Sequence, residues 1–307
     1  MSDMEPERIG VSRVRELAAR HGFKFSKSMG QNFLIDANIP EKMVRLAGIC
    51  ESDGVLEAGP GLGALTVELS RAAGRVTSVE LDERLLPILN EAIGAPANVT
   101  VVHGDILKLN LGQLVHEEMP GRIYHVCSNL PYNITTPALT AFIEAGVFKT
   151  ITVMIQYEVA RRICAGPGSG DYGAFSVYAN YHCVPEVLFD VPPECFMPRP
   201  AVRSSVVMLR VRQERELSGG AEDLFFRIVR AAFGQRRKTL ANALFSVFGA
   251  DPHAGLGKDE ILDCILSCGL DAMVRGEALG IAEFASLADS FLRIGLNDTN
   301  VIHRCDI

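Results

Sequence analysis

Ser128-Asn129-Leu130-Pro131-Tyr132 places two carbonyl acceptors, a rigid turn and an aromatic face within one short run. That set suits a demanding reaction, methylation of the exocyclic amine of adenine. The lone pair of this nitrogen is delocalised into the ring, which makes it a poor nucleophile. The Asn129 side-chain carbonyl and the Leu130 backbone carbonyl could hydrogen-bond both amine protons and bias the nitrogen towards tetrahedral geometry. Pro131 fixes the backbone so that the two carbonyls point the same way. Tyr132 offers a face on which the base can stack, worth ~1–3 kcal/mol. No strong general base is required, because a methylated amine loses its proton readily. The plainer reading of the same residues is a turn carrying a packed aromatic.

A second group is Val55-Leu56-Glu57-Ala58-Gly59-Pro60-Gly61-Leu62-Gly63, a strand running into glycines and then into a helix. Glycines let the backbone approach a ligand closely, and a helix start supplies amide donors. Glu80 lies about 20 residues on, at the end of the next strand, where a carboxylate accepts hydrogen bonds from ribose hydroxyls. The loop therefore points to a nucleoside-bearing cofactor without saying which, since Gly59-Pro60-Gly61-Leu62-Gly63-Ala64 also fits the dinucleotide fingerprint. A nicotinamide-dependent oxidoreductase stays open on the loop alone, although no catalytic His or Tyr-Lys pair stands out. Asp105 ends a third strand, where it could accept a proton from an adenine amine or simply cap a helix.

The elements that must hold these residues alternate. Strand candidates at Val55-Leu56, Val76–Leu81, Val99–His103, Tyr124–Ser128 and Ile151–Ile155 are separated by helical patterns, which predicts a parallel sheet covered on both faces. Val184–Val191 and Ser205–Val211 follow as an expected antiparallel pair at the sheet edge. After the polar stretch 213–221 the pattern becomes purely helical. Leu224, Phe225, Ile228, Val229 and Ala232 share one face, as do Ile261, Leu262, Ile265 and Leu266, and Phe284, Leu287 and Phe291. The expected organisation is a sheet domain over 1–212 with a basic N-terminal segment, a linker over 213–221, a helical domain over 222–294 and a tail over 295–307.

Composition is that of a globular protein, with 48% hydrophobic and 22% charged among 307 residues. No apolar run approaches the ~20 residues that span a bilayer. The N-terminus lacks the basic-then-apolar order of a signal peptide, the cysteines are scattered without a Cys-x-x-Cys, and the expectation is a cytoplasmic protein with reduced thiols and no metal. Net charge is −7, yet the basic residues cluster: Arg8 to Lys27, Arg161-Arg162, Arg199 with Arg203, and Arg236-Arg237-Lys238. A local basic surface suffices to contact phosphates, because screening confines the field to roughly 10 Å. Solvated helix faces would look the same.

Taken together, the chain resembles the small-subunit ribosomal RNA adenine dimethyltransferase family, which also includes mitochondrial relatives and the macrolide-resistance methyltransferases. The resemblance covers roughly residues 24–285 and rests on separate segments in the family's order: Ser28 to Leu34, the Glu57–Gly63 loop, Glu80-Leu81-Asp82, Gly104-Asp105, Asn129–Tyr132, Phe196-Met197-Pro198-Arg199-Pro200, and Phe233 to Leu240. It implies an α/β fold, a Rossmann-like sheet of the S-adenosylmethionine-dependent methyltransferases, with a small all-α C-terminal domain. It further implies that Asn32 and Leu34 line the methionine end of the cofactor, that Gly59 and Gly61 approach it through the backbone, and that Asn129 also contacts it. Glu80 would hold its ribose and Asp105 its adenine. Asn129, Leu130, Pro131 and Tyr132 would hold the target base, with Phe196 stacking on its other side. The helical tail and the intact Gln235-to-Leu240 run favour the ribosomal enzymes over the resistance enzymes. By that likeness the substrate is a pair of adjacent adenines near the 3′ end of small-subunit RNA, methylated during ribosome assembly by a monomer. A checkpoint factor that binds the subunit without chemistry is the rival.

Three departures stand out. Tyr157 occupies a position where members usually carry Lys, Ala201 and Arg203 replace a common Lys and Asp, and Gly276 replaces a common Pro. All lie outside the cofactor motifs and bear instead on RNA contacts and tail-domain detail.

Overall fold

The computed structural model describes residues 8–25, 31–94, 96–214, 217, 219–250 and 255–295. The Ser28-Met29-Gly30 portion of the first matching segment, part of the 213–221 linker and the tail from 296 onward lie outside them. The described chain forms two compact units, one from Met1–Ala160 with Glu186–Val211, the other from Arg161–Pro185 with Arg212–Ile307.

The strands are β1 (Phe33–Leu34), β2 (Asp53–Ala58), β3 (Arg75–Glu80), β4 (Val99–His103), β5 (Ile123–Asn129), β6 (Phe148–Gln156), β7 (Cys183–Val191), β8 (Phe196–Met197) and β9 (Ser204–Val211). The helices are α1 (Val11–Arg20), α2 (Asn38–Ala47), α3 (Ala64–Ala72), α4 (Leu86–Ile93), α5 (Leu111–Glu118), α6 (Thr135–Glu144), α7 (Tyr157–Ile163), α8 (Ala174–His182), α9 (Gly220–Gly234), α10 (Leu240–Phe248), α11 (Lys258–Ser267) and α12 (Ile281–Arg293).

Seven strands form one sheet in the order β4-β3-β2-β5-β6-β9-β7. The β2/β3, β3/β4, β2/β5 and β5/β6 pairs are parallel, and β9 runs antiparallel to β6. Val55, Leu56, Val76, Val126, Cys127, Ile151 and Val153 are all buried. That is why these strands read as short apolar runs rather than alternating ones: helices cover both faces of the parallel part. Successive strands move outward from β2 in one direction through β4 and in the other through β5. A ligand crevice is therefore expected between the carboxyl ends of β2 and β5.

A second, two-stranded sheet is absent from the sequence reading. It pairs Phe33 with Met197 and Leu34 with Phe196. Two residues per strand give no periodicity to detect, yet this pairing anchors the Asn32–Leu34 segment. Leu34 and Phe196 share a core cluster with Met43 and Val44 of α2 and Leu65 and Leu69 of α3.

In the second unit the buried face of α9 is the one its spacing predicted, as is that of α12. Leu266 departs from its predicted face and is 48% exposed. The sequence boundary near 213 also missed α8. Tyr178 and Tyr181 of α8 pack against Phe226, with ring centroids 5.5 and 5.1 Å away, and Tyr181 lies 4.9 Å from Phe225. An aromatic cluster of this size outweighs chain proximity to the sheet and draws Arg161–Pro185 into the helical unit. Gly276 has a local reason: a Cβ there would lie 2.6 Å from that of Ala232 on α9.

Candidate active site

β2 delivers its chain into the Gly59–Gly63 loop at the sheet's carboxyl edge. Gly59 and Gly61 have φ of +68° and +58°, a region that side-chain-bearing residues seldom adopt. At Gly61 a Cβ would also come within 3.0 Å of the Phe33 ring, so only glycine keeps the loop close to that segment. Ser128, fully buried in β5, accepts a hydrogen bond from Ala58 N at 2.9 Å. This bond fixes the spacing between the glycine loop and the Asn129–Tyr132 run.

One cavity opens where these segments meet. Asn32, Leu34, Gly59, Gly61, Glu80, Asn129, Leu130, Pro131 and Tyr132 all line it. Residues that the sequence had placed in four separate motifs are thus brought to one site.

Glu80 is 5% exposed. One of its oxygens accepts from Gly61 N at 3.1 Å and the other from Asp82 N at 2.9 Å. Burial pushes its pKa upward, and these backbone donors pull against that shift. Asp82 accepts from the Arg84 guanidinium at 2.7 and 2.8 Å and from Gln31 Nε2 at 3.2 Å. The Arg84 contact holds its carboxyl below the usual range. Gln31 also lines the cavity, and sequence reasoning passed over it.

Asn129 Nδ2 donates to the Asn32 carbonyl at 3.2 Å. A carbonyl can only accept, so the amide orientation is settled and Oδ1 remains an acceptor. Leu130 N donates to Met154 O at 3.2 Å, which anchors the following carbonyl to β6. Tyr132 is half-buried; its hydroxyl pairs with Ser204 Oγ at 2.8 Å, and burial raises its pKa. The Ser204 partner was not legible from sequence, because β9 is distant in the chain.

Two predicted site residues do not line the cavity. Asp105 follows β4 and accepts from Leu107 N at 3.1 Å, with Lys108 Nζ 3.4 Å away; it closes a turn rather than capping a helix, since α5 starts only at Leu111 with Asn110 as its cap. Phe196 is 3% exposed and packs in the core behind Leu34, because the β1/β8 pairing turns this segment inward. It offers no open face to a base in this structure.

Glu57 is the site residue that sequence reasoning used only as part of a loop. It is 1% exposed, lines the cavity, and accepts from Ser78 Oγ at 2.6 Å and Thr66 Oγ1 at 2.7 Å. Burial raises its pKa to about 7, against those two hydroxyl donors. A folded pKa above the unfolded one stabilises the protonated protein. That contribution is complete below about 4.5 and is lost as pH rises through about 7. Glu57→Gln should therefore flatten the stability profile over this window, removing a pH-dependent difference on the order of 3 kcal/mol. Thermal unfolding of both proteins from pH 5 to 8 checks this; parallel profiles would contradict it.

The sheet order, the glycine loop and the carboxylate at the end of β3 define an α/β protein with a site for a nucleoside-bearing cofactor. A family model described as "Ribosomal RNA adenine dimethylase" matches residues 22–264. "Ribosomal RNA small subunit methyltransferase A" of Alkaliphilus oremlandii is 44% identical over 282 residues, covering 92% of this chain and 96% of that protein. A dimethyladenosine transferase from Plasmodium falciparum has a similar structure, with TM-score 0.72, 25% identity and coverage of 86% and 99% of the two chains. The 23S rRNA methyltransferase ErmE aligns with TM-score 0.65 at 27% identity, covering 85% and 99%. The chain belongs to the ribosomal RNA adenine dimethylase family, and the nicotinamide reading of the loop is set aside with that membership.

Each basic cluster has members paired within the protein. Arg8 pairs with Glu41 at 2.8 Å, Arg13 with Glu16 at 3.1 Å, and Arg199 with Glu194. Arg236 donates to Glu277 at 3.2 Å and to Gly170 O at 3.4 Å, all within the second unit. Arg236→Glu is expected to lower the melting temperature by roughly 2–4 °C, as loss of a partly exposed pair worth about 1 kcal/mol implies. RNA affinity should not change. A fall in RNA affinity with unchanged melting would contradict this structural role.

Proposed function

We propose that the protein transfers methyl groups to the exocyclic amines of two adjacent adenines near the 3′ end of small-subunit ribosomal RNA, within an assembling subunit. In this reading it works as a cytoplasmic monomer. The observation that carries the proposal is the Asn129 amide. Its nitrogen is committed to the Asn32 carbonyl, leaving Oδ1 to accept beside Leu130 and Tyr132 in the cavity that the glycine loop borders. The small-subunit assignment is supported by the small-subunit methyltransferase relatives that align with about nine-tenths of the chain.

The cavity's residues fit the cofactor. Gly59 and Gly61 keep the loop open to its backbone-side approach, Glu80 is placed for ribose hydroxyls, and Asn32 and Leu34 border the methionine end. Asp105, which follows β4 outside the cavity's lining, would hold its adenine. When bound, the cofactor supplies a methyl group on a positively charged sulfur, and that charge is lost on transfer. The chain's own part is alignment. Asn129 Oδ1 and the Leu130 carbonyl would accept hydrogen bonds from the amine's two N–H groups and hold its nitrogen towards the cofactor side; the proton displaced by the methyl group leaves the methylated amine to solvent. Tyr132, pinned by Ser204, receives the base once it leaves its stack. Phe196 backs Leu34 from the core.

Tyr132→Ala should weaken capture of the base by ~1–3 kcal/mol. Tyr132→Phe should transfer methyl at close to the wild-type rate, while unfolding at lower temperature because the buried Ser204 hydroxyl loses its partner. A loss of rate in Tyr132→Phe equal to that in Tyr132→Ala would defeat the stacking role. The substrate assignment is tested by labelled methyl transfer to purified small and large ribosomal subunits lacking the modification. Incorporation confined to the small-subunit RNA is expected, and incorporation into the large-subunit RNA would overturn it.

A further inference from the structure

Two of the chain's departures from the family's common residues meet in one contact. β6 ends at Gln156, which pairs with Ser204 at the start of β9. Tyr157 and Arg203 flank that pair, and Tyr157 N donates to Arg203 O at 3.1 Å. The Arg203 guanidinium carbon lies 3.4 Å from the Tyr157 ring centroid, a close cation–π stack. Where the common pattern carries a cation at 157 and an acid at 203, this chain carries an aromatic platform and a cation on it.

The stack sits beside the base site. Asn129 of β5 is in register with Met154 of β6, so Gln156 and Tyr157 lie at the same carboxyl edge of the sheet. Ser204, which binds the Tyr132 hydroxyl at 2.8 Å, is the residue next to Arg203. Stacking occupies a π face of the guanidinium and leaves its in-plane N–H groups to bind an acceptor. Its carboxylate partner among the described residues, Asp190, is 3.9 Å away, and the other oxygen of Asp190 already accepts from Ser205 at 2.6 Å. The Arg203 side chain is 50% exposed.

We propose that Arg203, held flat by Tyr157, binds a backbone phosphate of the RNA strand next to the adenine being methylated. The inference rests on the reading of Asn129–Tyr132 as the base pocket. An extruded base drags its own backbone to the pocket's rim, and a planar, pre-oriented guanidinium suits a phosphate's paired oxygens. Such a contact positions the strand and carries no sequence information. Arg203 is in this sense a positioning residue.

The test uses the full chain and unmethylated small-subunit RNA, with affinity measured across a salt series and methyl transfer measured under the same conditions. Arg203→Ala should bind RNA about five- to tenfold more weakly at low salt. Its log–log salt dependence should be shallower by about 0.7–0.9, the loss of one phosphate contact. The kinetic loss should fall on KM for RNA rather than on kcat, and cofactor affinity should stay at the wild-type value. Arg203→Lys and Tyr157→Ala keep the charge without the stack. Both should retain the wild-type salt slope with intermediate affinity, whereas Tyr157→Phe should match wild type. Wild-type RNA affinity and salt slope in Arg203→Ala, with only a lowered melting temperature, would overturn the proposal and make the stack a structural clasp. A wild-type protein that places no methyl on this RNA would instead overturn the pocket reading beneath it.

Discussion

Asn129→Ala is expected to slow methyl transfer by about 100-fold at saturating cofactor, the scale of loss when a near-attack arrangement is misplaced by about an ångström. Two facts of the site set this size. Asn129 Nδ2 is held by the Asn32 carbonyl, so the side chain is fixed before any base arrives. Leu130 supplies the second acceptor from a backbone tied to β6, and it survives the substitution. With one acceptor gone the amine can rotate, and the barrier rises without loss of the cofactor's own contacts. Cofactor affinity should fall only a few-fold, through loosening of the Asn32 segment. Single-turnover methylation of small-subunit RNA, together with calorimetric titration of the cofactor, separates the two effects. A wild-type rate, or a rate loss matched by an equal loss of cofactor affinity, would sink the assignment.

Glu80→Ala should act on the cofactor itself, weakening its binding by roughly 1–3 kcal/mol, or about five- to 150-fold, the cost of charge-assisted bonds left unmade. Glu80 sits at the end of β3 with its oxygens positioned by Gly61 N and Asp82 N. Its removal costs the ligand an acceptor and costs the glycine loop its tether. Because burial raises this carboxyl's pKa, binding should also weaken as pH falls through that raised value in the wild type but not in Glu80→Ala. Calorimetry of the folded variant showing unchanged affinity would contradict the ribose-binding role.

The part of the site that was legible in the sequence is the part built from consecutive residues. The Glu57–Gly63 loop, Glu80 at a strand's end and Asn129–Tyr132 after β5 each combine a local backbone signal with a side chain suited to chemistry. The structure brings all three to one cavity. What escaped depends on pairing across the chain. The β1/β8 ladder is two residues long, so no period announces it, and it is this ladder that buries Phe196 against expectation. Ser204 and Gln31 reach the site from a distant strand and from the N-terminal segment, and their partners Tyr132 and Asp82 could not be guessed from spacing. Glu57 did leave a signal, a lone acid inside an apolar strand run. Its buried hydroxyl partners, Ser78 on the neighbouring strand and Thr66 on α3, emerge only once the sheet register and helix packing are known. The fold followed the same rule. Parallel strands and amphipathic helices were readable from their periods, while the allegiance of Arg161–Pro185 to the helical unit was settled by aromatic packing between α8 and α9.

The most direct test of the account is mass spectrometry of nuclease fragments from small-subunit RNA after incubation with the protein and S-adenosylmethionine. Two methyl groups on the exocyclic nitrogen of each of two neighbouring adenines near the 3′ end are predicted, with none when Asn129→Ala replaces the wild type at matched short times. Methylation on ribose or on another base, or an unmodified RNA after exhaustive incubation with folded wild-type protein, would contradict it.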